Sequence, residues 1–340
     1  MAPLIHLVRY GSILPFIDWM KANGRPADPY FREVDLTYAV HLGPNQPIPF
    51  RQALDFLRAV NRGNEPDLPC RVVSNSNLAA LGLIAEAALG APTIGEAIKT
   101  VAIQVSNQVP HSIMTASETA KGVTLREVWG IRIDDTTRHM LNQYVAALIQ
   151  SLCVHGGARK PVFSRIAMVP HPVFGFSNLS SWFGQRIEVS SEKALELVIP
   201  PNVAALRLRL RDITALEVAP PSLSLHPLTE EESTASIRIV MAAMFSQAPP
   251  TLERLSKVAG VGVRTLQRRI QQAGTTYSEL LESVRRDIAL QGLSEGERPI
   301  GEISDMIGYK QQSSLSRAVR RWSGTTPKKV SKRSEPRAHR

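Results

Sequence analysis

Arg264, Gln267 and Arg268 stand at i, i+3 and i+4, and Ser314, Arg317 and Arg321 at i, i+3 and i+7. On a helix those spacings bring each set onto one face. Arginine can make a paired contact to guanine, and glutamine to adenine, in the major groove of DNA, so such faces suit the reading of bases. Apolar residues recur at helical spacing beside them: Val263, Leu266 and Ile270 in the first segment, Leu315, Val319 and Trp322 in the second. Burial of those stripes would hold the polar sets outward.

The elements that must position these faces are legible on either side. Leu252, Leu255, Val258 and Ala259 predict a helix ahead of the first set, broken from it by Gly260-Val261-Gly262, a turn of the length a helix-turn-helix needs. Ile300, Ile303 and Ile307 predict a helix ahead of the second, with the turn at Gly308-Tyr309. The units run over about 252–273 and 300–322. Between them Leu280, Leu281, Val284, Ile288 and Leu293 mark a linker helix from Tyr277 to Leu293, long enough to hold two recognition helices about 34 Å apart, one DNA turn. A single helix–glycine–helix segment with surface arginines is more often only a solvated hairpin. Two in tandem, in a strongly basic region, reverse that reading. From Thr251 to Arg340 there are 18 Lys and Arg against 9 Asp and Glu; the whole chain has 40 against 30, which leaves 22 against 21 for the first 250 residues. Phosphate backbones reward concentrated positive charge through counterion release.

The segment from about Ile237 to Pro327 resembles the DNA-binding domain of the AraC/XylS family of bacterial transcriptional regulators. The resemblance rests on Val258-Ala259, the run Arg264 to Arg269, Gly274, Val284-Arg285 with Ala289, Ile300-Gly301-Glu302-Ile303, Gly308-Tyr309, Ser313, the run Ser316 to Gly324, and Pro327. It implies that Arg264, Gln267 and Arg268 contact bases and phosphates from the first recognition helix, and Gln312, Ser313, Ser314 and Arg317 from the second. Arg321, Lys328 and Lys329 suit phosphate contacts, which position a protein without reading sequence. Gly262 stands where the family usually has a serine cap, Ser304 replaces an alanine, and Leu315 and Val319 replace phenylalanines. From Lys328 onward, a solvated and disordered basic tail is an equally good reading.

The neutral portion reads as an α+β domain: helices, with a mostly antiparallel sheet. Residues 1 to about 110 read as mostly helical, with Leu54, Leu57 and Val60 on one face and an Ala/Leu-rich helix from Asn77 to Leu89. Thr93 stands three residues before Glu96, a capping-box spacing that opens a helix. Strands are predicted at 112–120 and 123–131, joined at Lys121-Gly122, then a long helix from Asp134-Asp135 to Val154, ended by Gly156-Gly157. A strand at 162–169, a short helix at 178–183 and strands near 187–189 and 195–199 follow. The proline-rich stretch from Val218 to Pro227 is a linker composition, and helical periodicity resumes at Thr229. The expected organisation is an effector-binding and dimerisation domain over 1–217, a linker over 218–228, an all-α DNA-binding domain of two tandem helix-turn-helix units over 229–330, and a basic tail over 331–340.

Residues Asn77 to about Leu210 are similar to the arabinose-binding-like effector domain that precedes this DNA-binding module in one branch of the family. The cues are Leu81-Gly82-Leu83, Thr93-Ile94-Gly95-Glu96-Ala97, His171-Pro172 and Phe183-Gly184. That implies a small-molecule effector, a homodimer, and activation through RNA polymerase. Trp129, Tyr144, His171, Phe174, Phe176 and Trp182 are candidates to line an apolar pocket with polar handles, although core packing explains each equally well. No nucleophile elbow, phosphate loop or His-Glu-x-x-His motif occurs, so neither catalysis, a metal nor a cofactor is expected. Runner-up readings are a constitutive DNA-binding protein whose first half only dimerises, and an enzyme fused to a DNA-binding module. Two cysteines, Cys70 and Cys153, and no apolar run of membrane-spanning length point to a cytoplasmic protein with reduced thiols and no membrane partner.

Overall fold

A computed structural model describes residues 4–44, 46–63, 65–74, 88, 90–109, 111–177, 179–184, 187–208, 234–296, 298–309 and 311–333. Strand β1 (Leu7–Arg9) pairs antiparallel with β2 (Pro47–Pro49). Between them lie α1 (Leu14–Ala22) and α2 (Asp28–Glu33), each opened by a proline in its first turn, where a missing N–H costs nothing. Helix α3 (Phe50–Val60) follows β2 directly and buries Leu54, Leu57 and Val60 as their spacing predicts. The two short strands add to the mostly helical start expected from the sequence; three residues are too few for alternation to show. Helix α4 (Leu68–Ser74) follows. The predicted Ala/Leu-rich helix lies outside the described residues, apart from Ala88, and so does the linker at 218–228.

The second layer carries a five-stranded sheet. Thr93 caps α5 (Ile94–Gln108) by accepting from the Glu96 amide at 3.2 Å. The hairpin β3 (Ser112–Thr119) and β4 (Gly122–Trp129) turns at Lys121-Gly122, as predicted. Asp134 then caps α6 (Asp135–His155), accepting from the Thr137 amide at 2.9 Å. Strand β5 (Arg165–Met168), the short α7 (Ser180–Phe183), β6 (Ile187–Val189), β7 (Leu195–Ile199) and α8 (Pro201–Ala204) complete the layer. The strand order is β3-β4-β7-β5-β6, antiparallel except for the β5–β6 pair. Helices α5 and α6 share a core with one face of the sheet, built on Ile94, Ile98, Leu125, Ile149, Leu152 and Leu197. The opposite face carries cross-strand ion pairs, Arg126 with Glu192 and Glu196, and Arg165 with Glu188 and Glu196. This alternation of inside and outside sets the register of each strand.

The C-terminal region is helical throughout its described residues: α9 (Ala235–Met244), α10 (Leu252–Ala259), α11 (Val263–Gln272), α12 (Tyr277–Glu295), α13 (Ile300–Met306), α14 (Gln312–Ser323) and α15 (Pro327–Arg333). Lys328 and Lys329 thus stand on a helix that packs against α12 and α14, which replaces the reading of a solvated tail from Lys328. Val330 and the buried Pro327 are what anchor it. Thr276 and Glu279 close a full capping box at the head of α12. Thr276→Ala is therefore expected to lower stability by about 1 kcal/mol, read as a drop in the urea midpoint with an unchanged slope.

The cores do not follow the division expected from the sequence. Residues before α4 join one apolar cluster with the C-terminal helices, in which Ile48, Phe56 and Leu57 belong with Met241, Leu255, Leu266, Leu280 and Val319. Helix α9 packs against β2 and α10 against α3, and the Ile5 amide donates to Ser236 Oγ.

Candidate nucleic-acid interface

The first exposed face is built by α10 and α11. Thr251 caps α10, and the chain leaves it through Gly260 at φ +68°, a left-handed conformation that glycine adopts without strain. Helix α11 then starts at Gly262, and Leu266 and Ile270, both about fully buried, pin it to α10 and the core. Arg264, Gln267 and Arg268 are all exposed on the other side. No ion pair ties them among the described residues, so three long polar side chains project together and remain available to a partner.

The second face is held by α12. Leu315, Ala318 and Val319 bury one side of α14, leaving Gln312, Ser313, Arg317 and Arg321 exposed and Ser314 half-exposed. Glu282, on α12, gathers three groups: it accepts from Arg321, from Trp322 Nε1 at 3.2 Å and from Tyr309 Oη at 3.5 Å. Arg285, one turn on, donates to the Ile307 carbonyl at 3.0 Å, and its guanidinium lies 5.2 Å from the Tyr309 ring centre. The turn before α14 uses Gly308 at φ +76°, where a β-carbon would fall 2.4 Å from Pro249 Cγ. Any larger residue there would displace the helix. Arg321 therefore already has a carboxylate partner, unlike Arg264 and Arg268. Sequence reasoning missed Glu282, whose partners lie 27 to 40 residues away; one acid among the four of this helix gives no local signal.

The basic interface also touches the N-terminal layer. Arg254, in the first turn of α10, makes two bonds to the Asp35 carboxylate, at 2.7 and 2.8 Å, and one to Gln247 Oε1 at 2.9 Å. Gln247 in turn donates to Thr37 Oγ1. Asp35 sits at φ +56°, held by Gln52 Nε2, which donates to the Asp35 and Val34 carbonyls at 2.7 and 3.1 Å. Tyr38 Oη fixes the other end of that amide at 2.7 Å. Beside Gln52, the Arg51 guanidinium lies against Gly260 in the turn. A cleft of about 230 Å³ opens beside this contact, lined by Asp35, Gln52 and Arg58 on one side and Lys257 and Val258 on the other.

The expected effector residues do not converge on one pocket. Trp129 stacks on Phe50, with ring centres 5.6 Å apart. Tyr144 faces Phe16, with ring centres 5.1 Å apart. His171 packs on Phe174 and, edge-on, on His139, and Phe176 joins them. The His171 Nδ1 accepts from the Val173 and Phe174 amides, and burial lowers its pKa, so it is the neutral ring that the turn holds. Trp182 lies apart: its Nε1 donates to Asp67 at 3.1 Å, beside a separate cavity of about 150 Å³ with Cys70 and Gln150. Trp129 and the His171 group do share one end of the sheet, under the first turns of α6. Sequence reasoning missed the polar residues there, Glu127, Arg138 and Asn142, all buried. A signal existed: Val123, Leu125 and Glu127 alternate, which points a carboxylate into the core.

With the geometry established, comparisons place the basic region. A helix-turn-helix domain family matches residues 255–333. The Ornithine utilization regulator of Pseudomonas aeruginosa is 36% identical over 78 residues, a match that spans 23% of each chain. The HTH-type transcriptional regulator VirS of Mycobacterium tuberculosis is 23% identical over 346 residues, covering 95% of both chains. Among solved structures, the transcriptional regulator CdpR of Pseudomonas aeruginosa aligns with a TM-score of 0.38 at 17% identity, over 91% of this chain and 98% of that one. No helix among the described residues is long and apolar enough to cross a membrane. The exposed arginine faces, the buried stripes beneath them and the matched segment coincide: the chain carries an AraC-type helix-turn-helix domain over residues 255–333, the DNA-binding module of transcriptional regulators.

Proposed function

We propose that this chain is a sequence-specific, ligand-responsive transcriptional regulator, acting as a homodimer that activates through contact with RNA polymerase. Two helix-turn-helix units, α10–α11 and α13–α14, read the operator, and α12 spaces them. Its 19 residues extend about 28 Å at helical rise, close to one DNA turn. Arg264, Gln267, Arg268, Gln312, Ser313, Ser314 and Arg317 contact the operator, with Arg321, Lys328 and Lys329 on phosphates. Residues 1–217 carry effector binding and dimerisation, and 218–228 link them to the reading domain at 229–330, ahead of a tail at 331–340.

One observation carries the ligand-responsive part: Arg254, at the front of the first reading unit, is bound through Nε and Nη2 to both carboxylate oxygens of Asp35 in the effector region. A helix N-terminus is where a DNA phosphate is favourably received, and here a carboxylate stands beside it. An effector that binds the joined and the released arrangements with different affinity would shift α10 between them.

The test is operator binding by the full chain, measured by fluorescence anisotropy on a selected DNA site, with and without a metabolite panel. Asp35→Ala should change operator affinity several-fold and flatten its response to any active metabolite. If no metabolite alters affinity and Asp35→Ala behaves as the parent, the constitutive reading replaces this one.

A further inference from the structure

Beneath the first two turns of α6, one end of the sheet gathers polar side chains that a core of this density does not ordinarily hold. Glu127 is 2% exposed; its Oε1 accepts from Ser112 Oγ at 2.5 Å, while Oε2 has no partner. Arg138 is 8% exposed and donates from one terminal nitrogen to the Lys193 carbonyl at 3.3 Å, while its Nε has no partner. Glu127 and Arg138 feel each other's charge, yet no ion pair joins them. Asn142, one turn further along α6, accepts from the Val169 amide through Oδ1 and leaves Nδ2 unpartnered with no exposure at all. Trp129, two residues beyond Glu127 on the same face of β4, leaves its Nε1 unpartnered.

Register puts these groups together. Glu127 pairs with Leu195 at the start of β7, next to the Lys193 carbonyl that Arg138 reaches, and Val169 directly follows β5, the neighbour of β7. Each buried polar group left unsatisfied costs about 1–3 kcal/mol, so four at one sheet end are a cost that a bound polar group would relieve. Their chemistry is one-sided. Arg138 Nε, Trp129 Nε1 and Asn142 Nδ2 are all donors, and burial keeps the Glu127 carboxyl protonated up to about pH 7, so it too can donate. Unsatisfied donors gathered at one sheet end without a free acceptor beside them suit an anion.

We infer that this sheet end binds a small organic carboxylate, its oxygens taken by Arg138, Trp129 and Asn142 and its apolar part laid toward Phe50 and Trp129. The site deepens the ligand-responsive reading and rests on it for its role, because α3 joins it to the reading domain through three consecutive residues. Phe50 stacks on Trp129, Arg51 lies against Gly260, and Gln52 holds Asp35. Arg58, two turns along the same helix, is tied to Asp134 and Thr137 at the head of α6. A ligand seated under α6 thus bears on the same helix that anchors the Arg254 contact.

Calorimetric titration and thermal shift of the full chain, with propionate, butyrate and benzoate against propionamide, butyramide and benzamide, and with arabinose as a neutral sugar, test the site. At least one carboxylate should bind at least tenfold more tightly than its amide. Arg138→Gln should lower that affinity tenfold or more. Trp129→Phe, which keeps an aromatic ring beside Phe50 while removing the donor, should lower it about threefold and guards against misfolding of the arginine variant. The site is overturned if no carboxylate outbinds its amide, or if Trp129→Phe and a folded Arg138→Gln bind it as the parent does. The two readings separate cleanly. A carboxylate that binds here without moving operator affinity removes the regulatory role and keeps the site. A neutral compound that moves operator affinity equally in Arg138→Gln keeps the regulation and removes the site.

Discussion

Arg264→Ala and Arg317→Ala should each weaken operator binding by about 1–3 kcal/mol, roughly 5- to 150-fold, and each should relax base preference at its own positions in the site. The two side chains stand on separate helices, with Leu266 and Ile270 beneath one and Leu315 and Val319 beneath the other, and no ion pair links them among the described residues. Their effects should therefore add, and the double variant should retain little beyond salt-sensitive, non-specific binding. Because both residues are exposed, the variants should keep the parent's thermal midpoint, which separates lost contact from lost fold. Lys328→Ala and Lys329→Ala should act differently: a shallower dependence of affinity on salt, with base preference unchanged. Arg321→Ala should act in the same way, with the added loss of its bond to Glu282. Anisotropy on a selected operator and its single-base variants measures all of this. Parental affinity and selectivity in both Arg264→Ala and Arg317→Ala would sink the assignment of the reading faces.

Stability should carry a pH signature set by the buried sheet end. Burial raises the Glu127 carboxyl from 4.5 to about 7, against weaker opposing effects of the Ser112 bond and the Arg138 charge. The folded state therefore holds this proton more tightly than the unfolded one. The associated stability is fully present below about pH 4.5 and is lost as pH rises through about 7, a loss on the order of 3 kcal/mol. Glu127→Gln has no such loss, so its stability relative to the parent should rise between pH 5 and pH 8 and then level off. Burial moves His111 and His139 the other way, to about 4, with His6 and His171 adding to the effect respectively and the Val169 carbonyl opposing it at His139. Their contribution is present above pH 6.5 and is lost as pH falls through about 4. Urea unfolding of parent and Glu127→Gln at pH 5, 6, 7 and 8 isolates the carboxyl, because the histidines titrate alike in both. A parent–variant difference that stays constant over that range contradicts a buried, proton-holding Glu127.

Much of the DNA-binding region was legible because its determinants are local. Helical spacing of Val263, Leu266 and Ile270 identifies a buried stripe, and Arg264, Gln267 and Arg268 follow as its exposed complement. Caps at Thr93 and Asp134 mark helix starts through bonds that span three residues. The β3–β4 hairpin is similarly local, its strands joined through Lys121-Gly122. The residues expected to line an effector pocket were less legible. An aromatic side chain in a core and one at a ligand look alike in sequence, and the structure divides Trp129, Tyr144, His171 with Phe174, and Trp182 among different surroundings.

By itself the sequence determined where the positive charge is concentrated, which helices carry it and which faces they turn outward, since periodicity and capping act over one helical turn. Tertiary structure decided what the reading domain leans on. It joined Arg254 to Asp35 across 219 residues, brought Tyr309, Arg321 and Trp322 to Glu282, and let the opening helices share a core with the C-terminal ones. Such contacts leave no trace in local spacing, because each partner meets ordinary helix or turn preferences where it stands. Only packing of the apolar stripes against one another determines which polar groups end up face to face.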